Sequence, residues 1–362
     1  MGASKFGGAT ARAVQWHVAN LEYGCATALR NVSLQWWDQD DQHGMAGDHV
    51  VITSGYDKLI DGLAEGTEVL LQREVSRIEH GPDGVRVHTK AGGDGLAADA
   101  VLVTVPLGVL KANSPRFVPP LPEWKRAAVE RLGFGPIEKV VLLFSRPFWE
   151  EYEETAAAPV SAAAAAPDDA ADGGGPRPLR SADFFGIMLP DDAAAPSYEG
   201  SRGEFFVFWN LHRSHGLPAL LCISSGVFAS QTWRSLSYKG VVASALGVLG
   251  RTFGEAPRQT FRKSVVSDWG KNPFARGSYS YVAVGSSGRD YDELARPVGA
   301  RLFFAGEHTN GQHPATATGA FLSGLREAQR IDHAAQSGFT RLPMGLATAA
   351  APAPAPAEEA RV

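Results

Sequence analysis

Residues 301–331, RLFFAGEHTNGQHPATATGAFLSGLREAQRI, combine an apolar run, a carboxylate and a stretch of small residues. The run 302–305 is typical of a buried strand, so Glu307 is expected where a strand of an α/β sheet ends and ligands bind. Its carboxylate could accept hydrogen bonds from ribityl or ribose hydroxyls. The small residues 315–320 would let backbone N–H groups at a helix start approach an electron-rich ring that gains negative charge on reduction, as a flavin does.

A simpler interpretation uses the same residues. Thr316 or Thr318 would cap a helix that follows an ordinary strand and loop, and Glu307 would be solvated. Because strand–loop–helix units are abundant in α/β proteins, the spacing alone leaves both interpretations open.

The segment resembles the C-terminal flavin motif of the flavin-dependent amine oxidases, and within them the lysine-specific histone demethylase type. The resemblance extends in one order from about Trp16 to Ile331, through LEYGCAT, WWDQDDQHGMAGDH, TVPLGVLK, RFVPPLPEWK, RLGFGPIEKVVLLF, RGEFFVFWN and FARGSYSYVAVGSSGRDYD. It implies an α/β (α+β mixed) fold, in which a partial, Rossmann-like FAD-binding domain is interleaved with a mixed-sheet substrate-binding domain of the amine oxidase type.

The implied domains alternate along the chain. Residues 1–43 and 136–287 would form the substrate-binding half, and residues 44–135 and 288–340 the FAD-binding half. An insertion at 155–178 and a tail at 341–362 are rich in Ala and Pro and are predicted to be disordered, because they cannot bury enough side chain to offset their ordering entropy.

The resemblance also assigns cofactor contacts. It places these residues at the FAD: Glu307, Gly306, Thr316, Ala317, Val75, Thr104 and Pro106. The Val75 position would pair with adenine through backbone atoms, although the pattern alone makes Val75, Thr104 and Pro106 ordinary strand ends. The FAD should be bound non-covalently, because GSYSYVAVG has no cysteine where monoamine oxidases attach their flavin.

Three residues are implied for the catalytic site. From the pattern alone, Lys139 is an edge lysine that opens the apolar run 139–144, and Trp269 and Tyr279 are core aromatics. The resemblance implies instead that a buried Lys139 holds a water against flavin N5 and assists reaction with oxygen, and that Trp269 and Tyr279 line the flavin and the amine pocket. Thr316 stands where monoamine oxidases have a second tyrosine, so the pocket should admit a bulkier secondary or tertiary amine.

The acidic run 38–41 is either a solvated turn or part of a substrate mouth. In the second interpretation Asp40 and Asp41 attract a cationic chain, which would be a basic peptide or a polyamine. The family's histone-tail enzymes carry the same Trp-Asp-Gln-Asp-Asp string, which favours a basic peptide such as a histone tail as the substrate. The resemblance also implies that this protein is nuclear and that a chromatin complex is a possible partner. Cys25 departs from the family, which typically has asparagine there.

Composition argues against several classes of protein and of binding site. The net charge of -5 gives no direct signal for nucleic-acid binding. Two cysteines argue against a disulfide framework or a zinc site, and no metal is expected. Neither a membrane span nor a signal peptide is evident, which predicts a cytosolic or nuclear protein.

One expected unit is missing from the sequence. Enzymes of this type bind the FAD pyrophosphate with a strand–GxGxxG–helix unit, and the only similar string, 93–98, precedes no helical pattern and reads as a hairpin loop. The chain therefore looks like the C-terminal part of a larger oxidase, and we expect it alone to be poorly soluble, flavin-free and inactive.

The reaction predicted for the parent enzyme is FAD-dependent oxidation of an amine, such as N-methyl-lysine, to an imine with hydrogen peroxide release. A polyamine oxidase and a non-catalytic chromatin-binding remnant are the alternatives.

Local patterns predict several elements. Apolar residues at 56, 59, 60 and 63 predict a helix that stops at Gly66. Strands are predicted at 69–71, 75–78, 85–88 and 100–105, with residues 81–84 as a hairpin turn.

Overall fold

The computed structural model describes residues 8–47, 50–152, 182–188 and 198–340. The insertion at 155–178 and the tail at 341–362 lie outside these residues. The chain divides into two compact units. One contains Met1–Trp37, Met45–Leu71 and Gly133–Gly285, and the other contains Asp38–Gly44, Gln72–Leu132 and Ser286–Val362. We call them the first and the second unit.

The strands are β1 (Val75–His80), β2 (Val85–Thr89), β3 (Leu96–Ala98), β4 (Val101–Val103), β5 (Arg116–Val118), β6 (Gly133–Gly135), β7 (Glu138–Phe144), β8 (Phe184–Gly186), β9 (Val207–Asn210), β10 (Ala219–Ser224), β11 (Phe261–Val266), β12 (Tyr279–Tyr281) and β13 (Leu302–Phe304). The α-helices are α1 (Gly8–Cys25), α2 (Tyr56–Ala64), α3 (Leu107–Lys111), α4 (Glu123–Arg131), α5 (Tyr198–Ser201), α6 (Leu211–His215), α7 (Trp233–Ser235), α8 (Tyr238–Phe253), α9 (Ala256–Thr260), α10 (Arg289–Ala295) and α11 (Ala317–Gln336). Short 3-10 turns lie at Leu29–Asn31, Asp41–His43, Phe148–Glu151 and Glu307–Thr309, and a π-helical turn lies at Phe228–Thr232.

The first unit is built on a five-stranded sheet in the order β11-β7-β10-β9-β8. Neighbouring strands are antiparallel, and β7 lies between β10 and β11, with Val140 opposite Cys222 on one side and Val266 on the other. Alternate residues of β7 point to opposite faces. Val140, Leu142 and Phe144 are at most 2% exposed and join the main core cluster, which also includes residues of α8. A separate pair, β12 with β6, extends this unit.

The second unit contains a four-stranded sheet, β3-β2-β1-β5, and a parallel pair, β13 with β4. Lys125 on α4 is fully buried and donates to the backbone carbonyls of Glu293 and Leu294, at 3.0 and 2.8 Å, at the end of α10. Its ammonium also lies 3.8 Å from the ring centre of Phe304 on β13. One lysine therefore ties together two helices and a strand, and burial lowers its pKa well below the usual value.

Several predicted elements are confirmed. The helix over 56–63 is α2, and Gly66 follows it with φ of +75°. The turn at 81–84 closes a hairpin between β1 and β2, with the N–H of Gly81 donating to the carbonyl of Gly84 at 3.0 Å. Residues 93–95 lie in the loop between β2 and β3, as expected for a hairpin loop.

Two strand predictions need correction. Residues 69–71 form no strand, and Val69, Leu70 and Leu71 are 50 to 79% exposed, because within the described residues no strand pairs with them. The strand predicted at 100–105 is shorter, since β4 covers only Val101–Val103. Helix α2 likewise contains no buried residue, so its apolar face contacts no core among the described residues. Among all the residues that the structure describes, no helix is long and apolar enough to cross a bilayer.

Candidate active site

Glu307 lies at the edge of the second unit where two strands end. Strands β4 and β13 are parallel, with Leu302 opposite Val101, so their carboxyl ends meet at one edge. Gly306 follows with φ of +131°, and a Cβ there would lie 2.6 Å from the ring of His308. The carboxylate of Glu307 accepts the N–H of Ala315 at 2.8 Å. Glu307 is thus hydrogen-bonded and largely buried, with 18% of its side chain exposed, and the simpler expectation of a solvated carboxylate is wrong.

The small residues after this loop begin the longest helix of the second unit. Thr316 caps α11, because its Oγ1 accepts the N–H of Gly319 at 2.9 Å and donates to the carbonyl of His313 at 2.8 Å. The expected helix cap is therefore confirmed. Thr316, Ala317 and Thr318 are all exposed, so the positive end of a 20-residue helix carries no bulky side chain.

The acidic turn belongs to the same unit and lies against the same loop. Gln39 Nε2 donates to the carbonyl of Gly311 at 2.8 Å, across 272 residues of sequence. The rings of His43 and His313 are 6.3 Å apart. Burial raises the pKa of Asp40, whereas Asp41 is exposed. The structure thus places the Asp40–Asp41 pair beside the segment that joins Glu307 to Thr316. Sequence spacing gave no sign of that proximity.

The other expected cofactor residues are placed unequally. Thr104 and Pro106 follow β4, so they lie at the edge from which Glu307 emerges, and Thr104 is exposed. Val75 begins β1 in the four-stranded sheet, opposite Thr89. The structure therefore groups Thr104 and Pro106 with Glu307 and leaves Val75 in the other sheet of the unit.

Lys139 lies in the first unit, and its position is neither that of the edge lysine predicted from the pattern nor that of the buried lysine implied by the resemblance. Strand β7 begins at Glu138 and lies between β11 and β10, so Lys139 is not on an edge strand. Its side chain is exposed rather than buried, which corrects the expected buried ammonium. The protein around it still removes water from the ammonium, and this desolvation lowers the pKa of Lys139 below its usual value.

Glu138 is a buried carboxylate that the sequence reasoning missed. It is 1% exposed, and it accepts hydrogen bonds from Ser267 Oγ at 2.6 Å and from the N–H groups of Trp269 and Gly270 at 3.2 and 2.8 Å. A usable signal was present. Strict alternation along β7 places residue 138 on the same face as Val140, which makes it an inward-facing acid.

Trp269 and Tyr279 are joined by a short backbone network. The N–H of Gly277 donates to the carbonyl of Trp269 at 3.0 Å, and Tyr279 pairs with Gly135 in the β12–β6 ladder. Trp269 is 46% exposed and is not a core aromatic. The hydroxyl of Tyr279 donates to the carbonyl of Tyr23, and burial raises its pKa well above the usual value. Tyr279 therefore stays neutral and is suited to act as a wall rather than as an acid or base.

The residues of the second unit fit part of a flavin. A carboxylate at the end of parallel strands suits sugar-chain hydroxyls, and an exposed helix start without bulk suits the edge of a ring that gains negative charge. The pyrophosphate has no counterpart, because the sequence contains no strand–GxGxxG–helix unit.

Comparison with known proteins identifies the family. The family described as "Flavin containing amine oxidoreductase" matches residues 10–332, so this chain belongs to the flavin-containing amine oxidoreductases, whose cofactor is FAD. The chain is similar to lysine-specific histone demethylase 1 homolog 3 of Arabidopsis thaliana, with 40% identity over 337 residues, which covers 90% of this chain and 18% of that protein. It is also 38% identical over 343 residues to a possible lysine-specific histone demethylase 1 of Drosophila melanogaster, covering 88% of this chain and 34% of that protein.

Solved structures confirm the mixed α/β fold. Cyclohexylamine oxidase from Brevibacterium oxydans superposes with a TM-score of 0.62 at 18% identity, over 89% of this chain and 64% of that one. Putrescine oxidase bound to putrescine superposes with a TM-score of 0.57 at 19% identity, over 77% of this chain and 53% of that one. The resemblance to the amine oxidase family is confirmed, and the chain spans well under half the length of the demethylase relatives reported above.

Proposed function

We propose that this chain forms the flavin-ring and substrate side of a nuclear FAD-dependent amine oxidase that acts on N-methyl-lysine in a basic peptide such as a histone tail. The FAD that these residues would hold would supply the redox chemistry, in which a hydride leaves the amine α-carbon and oxygen is reduced to hydrogen peroxide. The substrate becomes an imine, which water hydrolyses. Similarity to histone demethylase homologues over about nine-tenths of the chain supports this substrate class.

In the second unit, the side chains would bind and orient. Glu307 would accept from a sugar-chain hydroxyl of FAD, and the first N–H groups of α11 would face the ring edge that gains negative charge. Thr316 and Ala317 would leave room for that ring, because they are small and exposed. Asp40 and Asp41 would attract the cationic chain of the peptide near the same loop.

In the first unit, the side chains would shape the amine site. The Lys139 ammonium would hold a water and stabilise negative charge that develops on oxygen during reoxidation. Trp269 and Tyr279 would supply aromatic walls, and a neutral Tyr279 suits that role because its hydroxyl is already donated to a backbone carbonyl.

One observation carries the proposal. The acidic turn that contains Asp40 and Asp41 lies against the loop between the strand-end carboxylate Glu307 and the bare start of α11. A cation-attracting surface therefore adjoins the residues expected at the flavin. That arrangement fits oxidation of an amine on a basic chain.

The test uses the natural protein that contains this sequence. Peroxide release is measured with a lysine-rich peptide carrying one N-methyl-lysine, with the same peptide unmethylated, and with spermine. We expect peroxide from the methylated peptide alone. The double variant Asp40→Asn/Asp41→Asn should raise KM for the peptide and weaken its salt dependence, while the exposed control Asp332→Asn should not.

Two outcomes favour the alternatives. Peroxide from spermine, without peroxide from the methylated peptide, would favour a polyamine oxidase. A protein that binds the peptide but has no flavin absorption would favour the non-catalytic chromatin-binding remnant.

A further inference from the structure

Glu138 connects the two residues of the first unit that the proposed function places beside the flavin. Its carboxylate accepts from Ser267 Oγ and from the N–H of Trp269 through Oε2, and from the N–H of Gly270 through Oε1. The same carboxylate therefore binds three donors within four consecutive residues. Glu138 is also the residue immediately before Lys139 on β7.

Ser267 completes the connection on the Lys139 side. Its Oγ accepts the N–H of Lys139 at 2.8 Å, and its own N–H donates to the carbonyl of Lys139 at 2.9 Å. The backbone of Lys139 is thus bonded twice to a residue whose hydroxyl is held by Glu138. The carbonyls of the segment 267–270 are bonded as well: that of Asp268 to the N–H of Asn272 at 2.9 Å, that of Trp269 to the N–H of Gly277 at 3.0 Å, and that of Gly270 to Arg234 at 2.9 Å.

We propose that Glu138 is a positioning residue for the amine-oxidising site, because its buried carboxylate holds the turn 267–270 and thereby fixes both Trp269 and the backbone of Lys139. The inference rests on the proposed function for the roles of Trp269 and Lys139. The carboxylate itself points to the buried face of the sheet, whereas Lys139 points to the exposed face, so Glu138 acts through geometry and does not touch substrate or cofactor.

The charge state and the size of Glu138 both matter to this role. A carboxylate can accept all three hydrogen bonds, whereas an amide has one acceptor oxygen and one donor group. In Glu138→Gln, whichever way the amide turns, its NH2 group faces the N–H of Trp269 or of Gly270. A buried donor then faces another donor and one of these N–H groups loses its acceptor, which is costly at a site 1% exposed.

The first measurement is hydrogen exchange, which does not depend on flavin or on activity. We expect the amide of Trp269 or of Gly270, whichever loses its acceptor, to exchange at least tenfold faster in Glu138→Gln than in the wild-type protein, without a general rise across β7 and β10. The control is Glu150→Gln in the same unit, which changes a carboxylate bonded to His212 and should leave exchange at 268–271 unchanged. Glu138→Asp retains the charge and should restore part of the protection.

The second measurement uses the flavin-loaded natural protein. We expect Glu138→Gln to lower kcat for amine oxidation several-fold with little change in KM, because the proposed peptide-binding turn belongs to the other unit. We also expect a change in the absorption band of the flavin, which is proposed to lie beside Trp269. Unchanged exchange at Trp269 and Gly270 would overturn the proposal. Faster exchange with unchanged kcat and flavin band would also overturn it, since the turn would then be held without consequence.

Failure of the proposed function gives a different pattern. If Lys139→Met and Trp269→Phe change neither flavin reduction nor reoxidation, the amine-oxidising site is wrongly placed, whatever the exchange data show. If those two variants do change the flavin reactions and Glu138→Gln does not, the site stands and only the role of Glu138 is refuted.

Discussion

The carboxylate of Glu307 accepts the backbone N–H of Ala315 at 2.8 Å, and Ala315 has the left-handed φ of +59°. A residue with a Cβ adopts this conformation only at a cost of about 1 kcal/mol or more. The hydrogen bond from Glu307 helps to offset that cost. The same side chain that is proposed to bind the cofactor therefore also fixes the backbone just before Thr316.

The two roles of Glu307 can be separated by substitution. Glu307→Gln keeps an oxygen that can accept from Ala315 but removes the negative charge. We expect a normal fold and FAD binding that is about tenfold or more weaker, because a charge-assisted hydrogen bond contributes about 1.5–3 kcal/mol. Bound flavin per chain after dialysis of the natural protein that contains this sequence is the measurement. The exposed acid Glu130 supplies a control, and a Glu307→Gln protein that retains as much flavin as wild type would contradict the role.

Lys139 should govern the reaction with oxygen. Lys139→Met removes the cation, so we expect a mild effect on flavin reduction by the amine and a larger decrease, of order tenfold or more, in the rate of reoxidation. Stopped-flow traces of the two half-reactions make the comparison. Lys263→Met, on the neighbouring strand β11, is the matched control and should behave as wild type.

The pKa of Lys139 gives this prediction a pH dependence. Desolvation by the surrounding protein lowers the pKa of Lys139 below 10.5, so the protonated form is lost as pH rises through the lowered value. Wild-type reoxidation should therefore slow as pH rises in the alkaline range below 10.5. The reoxidation rate of Lys139→Met should show no such decrease, and a parallel decrease in both proteins would assign the titration to another group.

Thr316 combines a helix cap with a place in the expected amine pocket. Thr316→Tyr should exclude bulky N-methyl peptides more than small primary amines, with a steric cost of order 1–3 kcal/mol. It also removes the cap of α11, which costs about 1 kcal/mol. Thr316→Val removes the cap at nearly constant volume and is the control for that loss. Ratios of kcat/KM for the two substrate types test the prediction, and equal losses for both would place Thr316 away from the amine.

His308 should make the second unit sensitive to acid. It is 2% exposed, and burial, followed by the charges of Lys125 and Arg326, lowers its pKa from 6.5 to about 3. A lowered pKa means that the unfolded chain binds the proton more tightly. The stability contributed by neutral His308 is therefore complete above pH 6.5 and is lost as pH falls towards 3, at roughly 1.4 kcal/mol per pH unit.

Urea unfolding at pH 7 and pH 5 measures this loss. We expect His308→Gln to be less stable than wild type at pH 7 but to lose less unfolding free energy between the two pH values. The exposed His333→Gln should keep the wild-type pH dependence. An equal loss for His308→Gln and wild type would mean that His308 does not titrate as a buried neutral group.

The local patterns predict the structure correctly where neighbouring residues decide it. The hairpin at 81–84, helix α2 and the cap of α11 follow from glycine conformations, 3.6-residue periodicity and a threonine before a helix, all of which act within a few residues. The strand predicted at 69–71 failed because a strand needs a partner. Its apolar residues say nothing about whether a neighbouring strand is present to accept its hydrogen bonds.

The sequence by itself determined the family, the strand-end carboxylate Glu307 and the small-residue helix start, because these lie in one continuous segment with strong local signals. Only the tertiary structure decided which distant residues meet. Gln39 and Gly311 are 272 residues apart, and Glu138 and Gly270 are 132 apart, and no spacing rule relates such pairs. Burial was also decided in three dimensions, since Lys139 and Glu138 are adjacent in sequence yet lie on opposite faces of β7, one exposed and one enclosed.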